Sequence, residues 1–308
     1  MYRKLSALFA AVMMLVGCAS PAAAEPVETV MSETVLDADG LWTKMCQAVD
    51  GRTASAFTST LEMGASVNTG LLPLDTSLTA VTEIALSRED SRYFGSTELK
   101  AKFFGKDLSG SFQVFAQEGT NGLDAYFHFV NADKWYSKHS TMVPTDLLGQ
   151  YEITACTEKW MPKNLTLADT MQKINGTNAY VLTCSYAAED MLKSISSPVG
   201  EISFDKIDIS GLELRVTHYV DAQTYLPVQI EIQYQGIGAV IGNLISKYAG
   251  DLTGGMASSL EVDVTTYREV LSNLVYGPVE VPQVPAEGVQ NSKDMAEFQF
   301  SDIMKFFG

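Results

Sequence analysis

Two stretches in the C-terminal half constrain the fold most. Leu212, Leu214, Val216, His218 and Val220 alternate with Glu213, Arg215, Thr217 and Tyr219. Val228, Ile230, Ile232 and Tyr234 alternate with Gln229, Glu231 and Gln233. Successive strand side chains point to opposite faces, so a period of two with one apolar set predicts half-buried antiparallel strands. Asp221-Ala222-Gln223-Thr224 between them reads as a tight hairpin, because Asp can accept hydrogen bonds from the turn backbone that follows it. Pro227, early in the second strand, points to an edge or an entry point.

The same period runs through the N-terminal half. Phe57, Leu61, Met63 and Val67 alternate with Thr58, Thr60, Glu62 and Ser66, and residues 78–87, 97–104 and 111–117 repeat the pattern. Leu123, Ala125, Phe127 and Phe129 face one way, and Asp124, Tyr126 and His128 the other. Asp90-Ser91, Gly105-Lys106-Asp107 and Gly119-Thr120-Asn121-Gly122 punctuate these runs as turns. A further strand carries Tyr180, Leu182, Cys184 and Tyr186 on one face, and a last long strand begins at Leu260, Val262 and Val264. The chain is therefore mainly β (α+β), with a single antiparallel sheet of about ten or eleven strands.

Helical spacing is sparse. Leu41, Met45, Ala48 and Val49 predict a first helix over 37–49, capped near Asp37 or Asp39. Residues 143–150 read as a turn or two, 188–197 as a short helix, and Thr166 as the cap of a helix with Leu167, Met171 and Ile174 on its stripe, ended by Asn175-Gly176. Residues 236–256 open with Gly236-Ile237-Gly238, but the glycine spacing does not match a dinucleotide loop. Ile237, Val240, Ile241 and Leu244 instead make one stripe of an amphipathic helix, which is either a lid over a cavity mouth or a helix packed permanently against the sheet.

The first 17 residues are a leader. Arg3 and Lys4 precede an apolar run from Leu5 to Val16, too short for the roughly 20 residues of a spanning helix. The run ends in Leu15-Val16-Gly17-Cys18, which matches a lipobox: a branched residue, two small residues, then Cys. Cys18 is the expected lipidation site, which puts the chain outside the cytoplasm and anchored to the cell membrane by acyl chains such as palmitate. Residues 18–35, rich in Ala, Pro, Glu, Ser and Thr, read as a flexible tether. Residues 36–285 form the main domain, and 286–308 a Phe-rich segment expected to dock on it.

Charge and chemistry exclude several functions. The net charge is −16, which leaves no basic surface for nucleic acid. Three scattered His and no Cys at metal spacing argue against a metal site, and no nucleophile elbow is present, so no catalytic residue and no cofactor are assigned. His218, on an apolar face, reads as a hydrogen-bonded core residue. Outside the membrane, Cys156 and Cys184 are the preferred disulfide pair; three buried reduced thiols, Cys46 included, are the alternative.

Several segments resemble the lipoprotein-carrier and lipid-transfer fold group of LolA/LolB and LppX/LprG-type proteins, with a Gram-positive lipoprotein branch as the nearest likeness. They are the lipobox, Asp133-Lys134-Trp135-Tyr136, Asn175 to Leu182, the hairpin Tyr219 to Val228, and Tyr276 to Pro282. The resemblance implies a curved half-barrel wrapped over a few short helices, with an apolar cavity between. It implies a monomeric, non-catalytic binder of a lipid or acyl chain, lined by Leu61, Met63, Phe127, Leu214, Val216, Ile230, Ile232 and Val262. The alternative is an envelope sensor or scaffold that binds a protein partner, its cavity filled by its own C-terminal segment.

Overall fold

The computed structural model describes residues 29–31, 36–50, 55–68, 73–87, 89–103, 106–119, 122–140, 162–187, 212–238 and 261–298. The expected leader, Cys18, Cys156, the turns expected at 143–150, the helix expected at 188–197 and the expected stripe residues Val240, Ile241 and Leu244 lie outside the described residues.

Two meanders supply most of the sheet. The first runs through β2 (Ala56–Asn68), β3 (Pro73–Ser87), β4 (Arg92–Phe103), β5 (Lys106–Gly119), β6 (Gly122–Phe129) and β7 (Lys134–Ser140). The second runs through β8 (Lys163–Leu167), β9 (Thr170–Ile174), β10 (Thr177–Ala187), β11 (Glu213–Asp221), β12 (Pro227–Gln235) and β13 (Glu261–Val275). β1 (Thr29–Met31) and β14 (Lys293–Asp294) are added at the two edges. The order is β1-β9-β10-β11-β12-β13-β2-β3-β4-β5-β6-β7-β14, with β8 pairing β10 beside this path. The result is one large open, curved sheet, mainly β as expected, with fourteen strands among the described residues.

Five of these strands were not foreseen, β7 among them. β1 falls inside the stretch read as a tether and pairs with β9, Val30 opposite Met171. β14 lies in the C-terminal segment. β8 and β9 replace the helix expected after Thr166. The reason is Asn175-Gly176, which is a hairpin turn and not a helix stop. Asn175 has φ 49° and Gly176 φ 82°. Two consecutive positive φ values make the turn whose twist matches that of paired strands, and Asn-Gly is the pair that tolerates it best. β9 and β10 zip up from this turn, Ile174 opposite Thr177. Leu167 lies opposite Leu182 on β10, so its apolar side chain serves a period of two.

The expected hairpin at Asp221 forms. Asp221 Oδ1 accepts the Gln223 N–H at 2.8 Å, and Oδ2 accepts the Thr224 hydroxyl at 2.9 Å. Pro227 opens β12, where a missing N–H is tolerated, although β12 itself lies between β11 and β13. The first helix, α1 (Ala38–Val49), is capped by Asp37, whose carboxylate accepts the Gly40 N–H at 2.7 Å. It buries Leu41, Met45 and Val49, with Leu41 and Met45 packed against Tyr180, Leu182 and Val220 of β10 and β11.

The chain end wraps round the β7 edge. After β13, Arg92 donates to the Val281 carbonyl at 3.4 Å, and Pro282, Gln283 and Val284 lie beside Phe115, Gln117 and Tyr126 on the outer face. The short helix α2 (Ala286–Asn291) then sets Gly288 against Trp135, also on the outer face. β14 pairs in parallel with β7, and Phe298 arrives on the inner face against Phe129 and Tyr136. An edge strand that would expose unpaired N–H and C=O groups is thus covered from both sides.

Gly288 is required by contact. A Cβ there would lie 2.6 Å and 2.7 Å from two Trp135 ring atoms. That ring cannot yield, because it stacks on His128 at 4.2 Å with the planes 3° apart and is 7% exposed. We expect Gly288→Ala to lower stability by about 1–3 kcal/mol through overpacking, outweighing a helix-propensity gain of about 1 kcal/mol. A denaturant midpoint at or above the parent value would contradict this.

Candidate functional site

Cross-strand partners share a face, so the register places the inner side chains in rows. One row runs Cys184, Val216, Ile232, Glu269, Leu61, Ala80 and Leu99. The next runs Leu182, His218, Ile230, Leu271, Ser59, Thr82, Thr97, Phe112 and Phe129, across nine strands. Both rows are apolar at their ends and polar in the middle.

Two apolar clusters flank that polar band. The first gathers Phe57, Ile84, Cys184, Leu214, Val216, Ile230, Ile232 and Leu271. The second gathers Leu61, Leu99, Phe112, Leu123, Phe127, Phe129, Tyr136 and Phe298. Between them Thr82 and Thr97 share a hydrogen bond at 3.0 Å. Glu269 accepts from the Ser59 hydroxyl at 3.2 Å on Oε1 and from the Tyr234 hydroxyl at 3.0 Å on Oε2. Tyr234 meets Tyr267 edge-on, with ring centroids 4.9 Å apart.

Glu269 is 7% exposed. Burial pushes its carboxyl up to about 7, against the smaller opposing pull of the Tyr234 and Ser59 hydrogen bonds. His218 is fully buried, and burial holds its imidazole down at about 4. The expected hydrogen bonds to His218 do not form. Neither ring nitrogen has a partner among the described residues, and the ring instead meets the edge of Trp42 on α1 at 5.7 Å. The strand places it over apolar neighbours Leu182 and Ile230, which offer nothing to bond.

On the outer face a half-buried ion pair crosses β12 and β13. Arg268 binds Glu231 through two hydrogen bonds, at 2.7 Å and 3.0 Å. Burial would raise the Glu231 pKa, but the hydrogen bonds from Arg268 and Gln233 together hold it below the ordinary carboxylate value.

Seven of the eight predicted lining residues can be placed. Leu61, Met63, Phe127, Leu214, Val216, Ile230 and Ile232 all point to the inner face, but they divide. Leu214, Val216, Ile230 and Ile232 belong to the first cluster, and Leu61 and Phe127 to the second. Met63 is half-buried beside Tyr267. The backbone of Val262 lies opposite Val67, and its side chain is outside the description. Ile237, from the expected lid, packs against the first cluster.

Glu269, Ser59 and Tyr234 were missed. The alternation that begins at Val262 and Val264 predicts even-numbered residues inward along β13. A bulge between Val264 and Thr266 shifts that parity, so Tyr267, Glu269 and Leu271 face inward. The sequence alternates no more clearly one way than the other there, so nothing local marks the change.

Cys184 is a free, buried thiol, and Cys156, its preferred disulfide partner, lies outside the described residues. Cys184 sits in the first cluster, where it packs as a small apolar side chain, and burial pushes its thiol up to about 11. Among the described residues no three His, Cys, Asp or Glu side chains group as metal ligands. No helix among them is long and apolar enough to cross a membrane.

No family model and no curated protein matches the chain. Solved structures show a remote similarity. A DUF1329 family protein from Desulfovibrio piger is 11% identical over 82% of this chain and 98% of its own, at a TM-score of 0.26. A putative outer membrane lipoprotein-sorting protein domain from Vibrio parahaemolyticus is 12% identical over 83% and 97%, at 0.23. A LolA superfamily protein from Nitrosomonas europaea is 10% identical over 82% and 97%, at 0.20. At TM-scores this far below 0.5, the reading of this chain rests on its own residues.

Proposed function

We propose that this is a non-catalytic envelope protein, tethered outside the cytoplasm through an acylated Cys18, that binds a lipid or acyl chain against the inner face of its sheet. The observation that supports it most is the extent of that face. Among the described residues, inward apolar residues run from β10 to β6, with α1 packing Leu41 and Met45 against β10 and β11 and Trp42 on the first cluster, and Phe298 packing against β6 and β7. Burial of apolar ligand surface there would contribute about 25 cal/mol per Å². Ile230, Val216 and Leu61 are at most 1% exposed, so ligand entry requires opening. Residues 19–308, purified without the anchor, are expected to carry lipid. Solvent extraction and mass spectrometry that recover none would argue against the reading.

One observation favours the second reading, a sensor or scaffold with a self-filled groove. Phe298 stacks on Phe129 with centroids 5.0 Å apart and planes at 17°, and occupies the second cluster itself.

A further inference from the structure

We propose that Glu269, with Ser59 and Tyr234, forms a hydrogen-bonding subsite for the neutral hydroxyl of an acylglycerol whose chains lie over the two apolar clusters. This rests on the lipid-binding reading and specifies the polar end of the ligand.

The position carries the first part of the argument. In the row from Cys184 to Leu99, Val216, Ile232, Leu61 and Ala80 are apolar, and a Leu or Ile at 269 would complete an unbroken stripe. A buried carboxyl there costs folding free energy unless its hydrogen bonds are made. Glu269 also marks the junction of the clusters. Ile232 and Tyr234 belong to or pack on the first, Leu61 and Tyr267 on the second. A molecule with a polar group at the root of two apolar chains fits that layout.

Hydrogen-bond capacity carries the second part. A carboxyl group presents about four acceptor positions, and the described residues occupy two on Glu269. On the same face, two strands away, His218 has no partner on either nitrogen among the described residues. Buried polar groups in a finished core are hydrogen-bonded, so an apolar face with two under-satisfied groups is better suited to a ligand with polar atoms than to a hydrocarbon. The open positions on Glu269 are acceptors when the carboxyl is ionised and include one O–H donor when it is protonated, and a ligand hydroxyl, which both donates and accepts, meets either state. An anionic phosphate or carboxylate head would meet a like group in apolar surroundings and is disfavoured.

The test uses residues 19–308 and three probes: dioleoylglycerol, its O-methyl ether, which keeps the chains and loses the donor, and dioleoyl phosphatidic acid. The parent protein is expected to bind dioleoylglycerol about ten-fold tighter than the ether, the scale of one buried hydrogen bond. Glu269→Leu should erase that ratio while binding the ether at least as well as the parent does. Glu269→Gln, which keeps an acceptor oxygen, should retain a clear preference for dioleoylglycerol. The ratio between two probes is read on one protein sample, so partial misfolding does not imitate the result. Equal binding of dioleoylglycerol and ether by the parent, a preserved ratio in Glu269→Leu, or tighter binding of the phosphatidic acid overturns the subsite and leaves lipid binding standing. Failure of the parent to bind any of the three overturns both.

Discussion

Replacing Glu269 by Gln should make stability climb with pH more steeply than in the parent, by about 3 kcal/mol between pH 4.5 and pH 7. In the parent two buried groups of opposite sign offset each other. His218 titrates near 4 in the folded chain and at its ordinary 6.5 in the unfolded one. Between those values the unfolded chain takes up a proton that the folded chain refuses, so stability is lost as pH falls through that window. Glu269 titrates near 7 when folded and at its ordinary 4.5 when unfolded. Its contribution is full below about 4.5 and is lost as pH rises towards 7. Over pH 4.5–6.5 the two slopes are equal and opposite, each about 1.4 kcal/mol per pH unit. Removing Glu269 exposes the His218 slope. Removing the imidazole with His218→Leu should do the converse, making stability climb less steeply than in the parent, by about 3 kcal/mol between pH 4 and pH 6.5. Denaturant midpoints taken at half-unit pH steps measure both, and other titrating groups cancel in the difference from the parent. Variant profiles that run parallel to the parent would show that these two groups do not set the balance.

Phe298→Ala is expected to cost about 3 kcal/mol, near the lower end for a buried Phe truncated to Ala. The ring is 8% exposed, stacks on Phe129 and meets Tyr136 edge-on at 5.2 Å. It also anchors the turn that follows β14, where the Asp294 carboxylate accepts the Ala296 N–H at 2.8 Å. The same variant divides the two functional readings. If the sheet face receives a ligand, vacating this corner should raise the lipid recovered per protein. If the groove is filled only by the chain, stability falls and lipid recovery stays unchanged. A loss under about 1 kcal/mol would mean that the wrap round β7 is not what holds this edge.

The particular elements show how far the residues alone could be read. The β6 alternation of Leu123, Ala125, Phe127 and Phe129 matches its burial residue by residue. The α1 boundaries and the Asp37 cap follow from spacing and one side chain. The Asp221 hairpin follows from a local hydrogen-bonding habit. Thr166 to Ile174 misled because short apolar spacings fit both periods, and the decision came from Asn175-Gly176, whose meaning depends on whether a partner strand is present. Seven of the eight residues expected to line a cavity fall on the inner face of the sheet, but the polar centre between the clusters was not seen. The expected lipidation at Cys18 rests on the sequence alone, since that residue lies outside the described ones.

What the sequence by itself determined is therefore local: strand period, hairpin chemistry, and the first helix with its cap. Those depend on a few neighbouring residues and on backbone sterics. Tertiary structure decided three things. It joined the two meanders through β2 and β13, which are about two hundred residues apart in the chain, as the Ser59–Glu269 contact shows. It shifted the parity of β13 by one bulge, so that Glu269 faces inward. It carried the chain end round β7 to set Phe298 inside. The physical reason is common to all three. Alternation states that a strand has two faces, but the face that is buried, and the strand lying beside it, are fixed by contacts between segments distant in sequence.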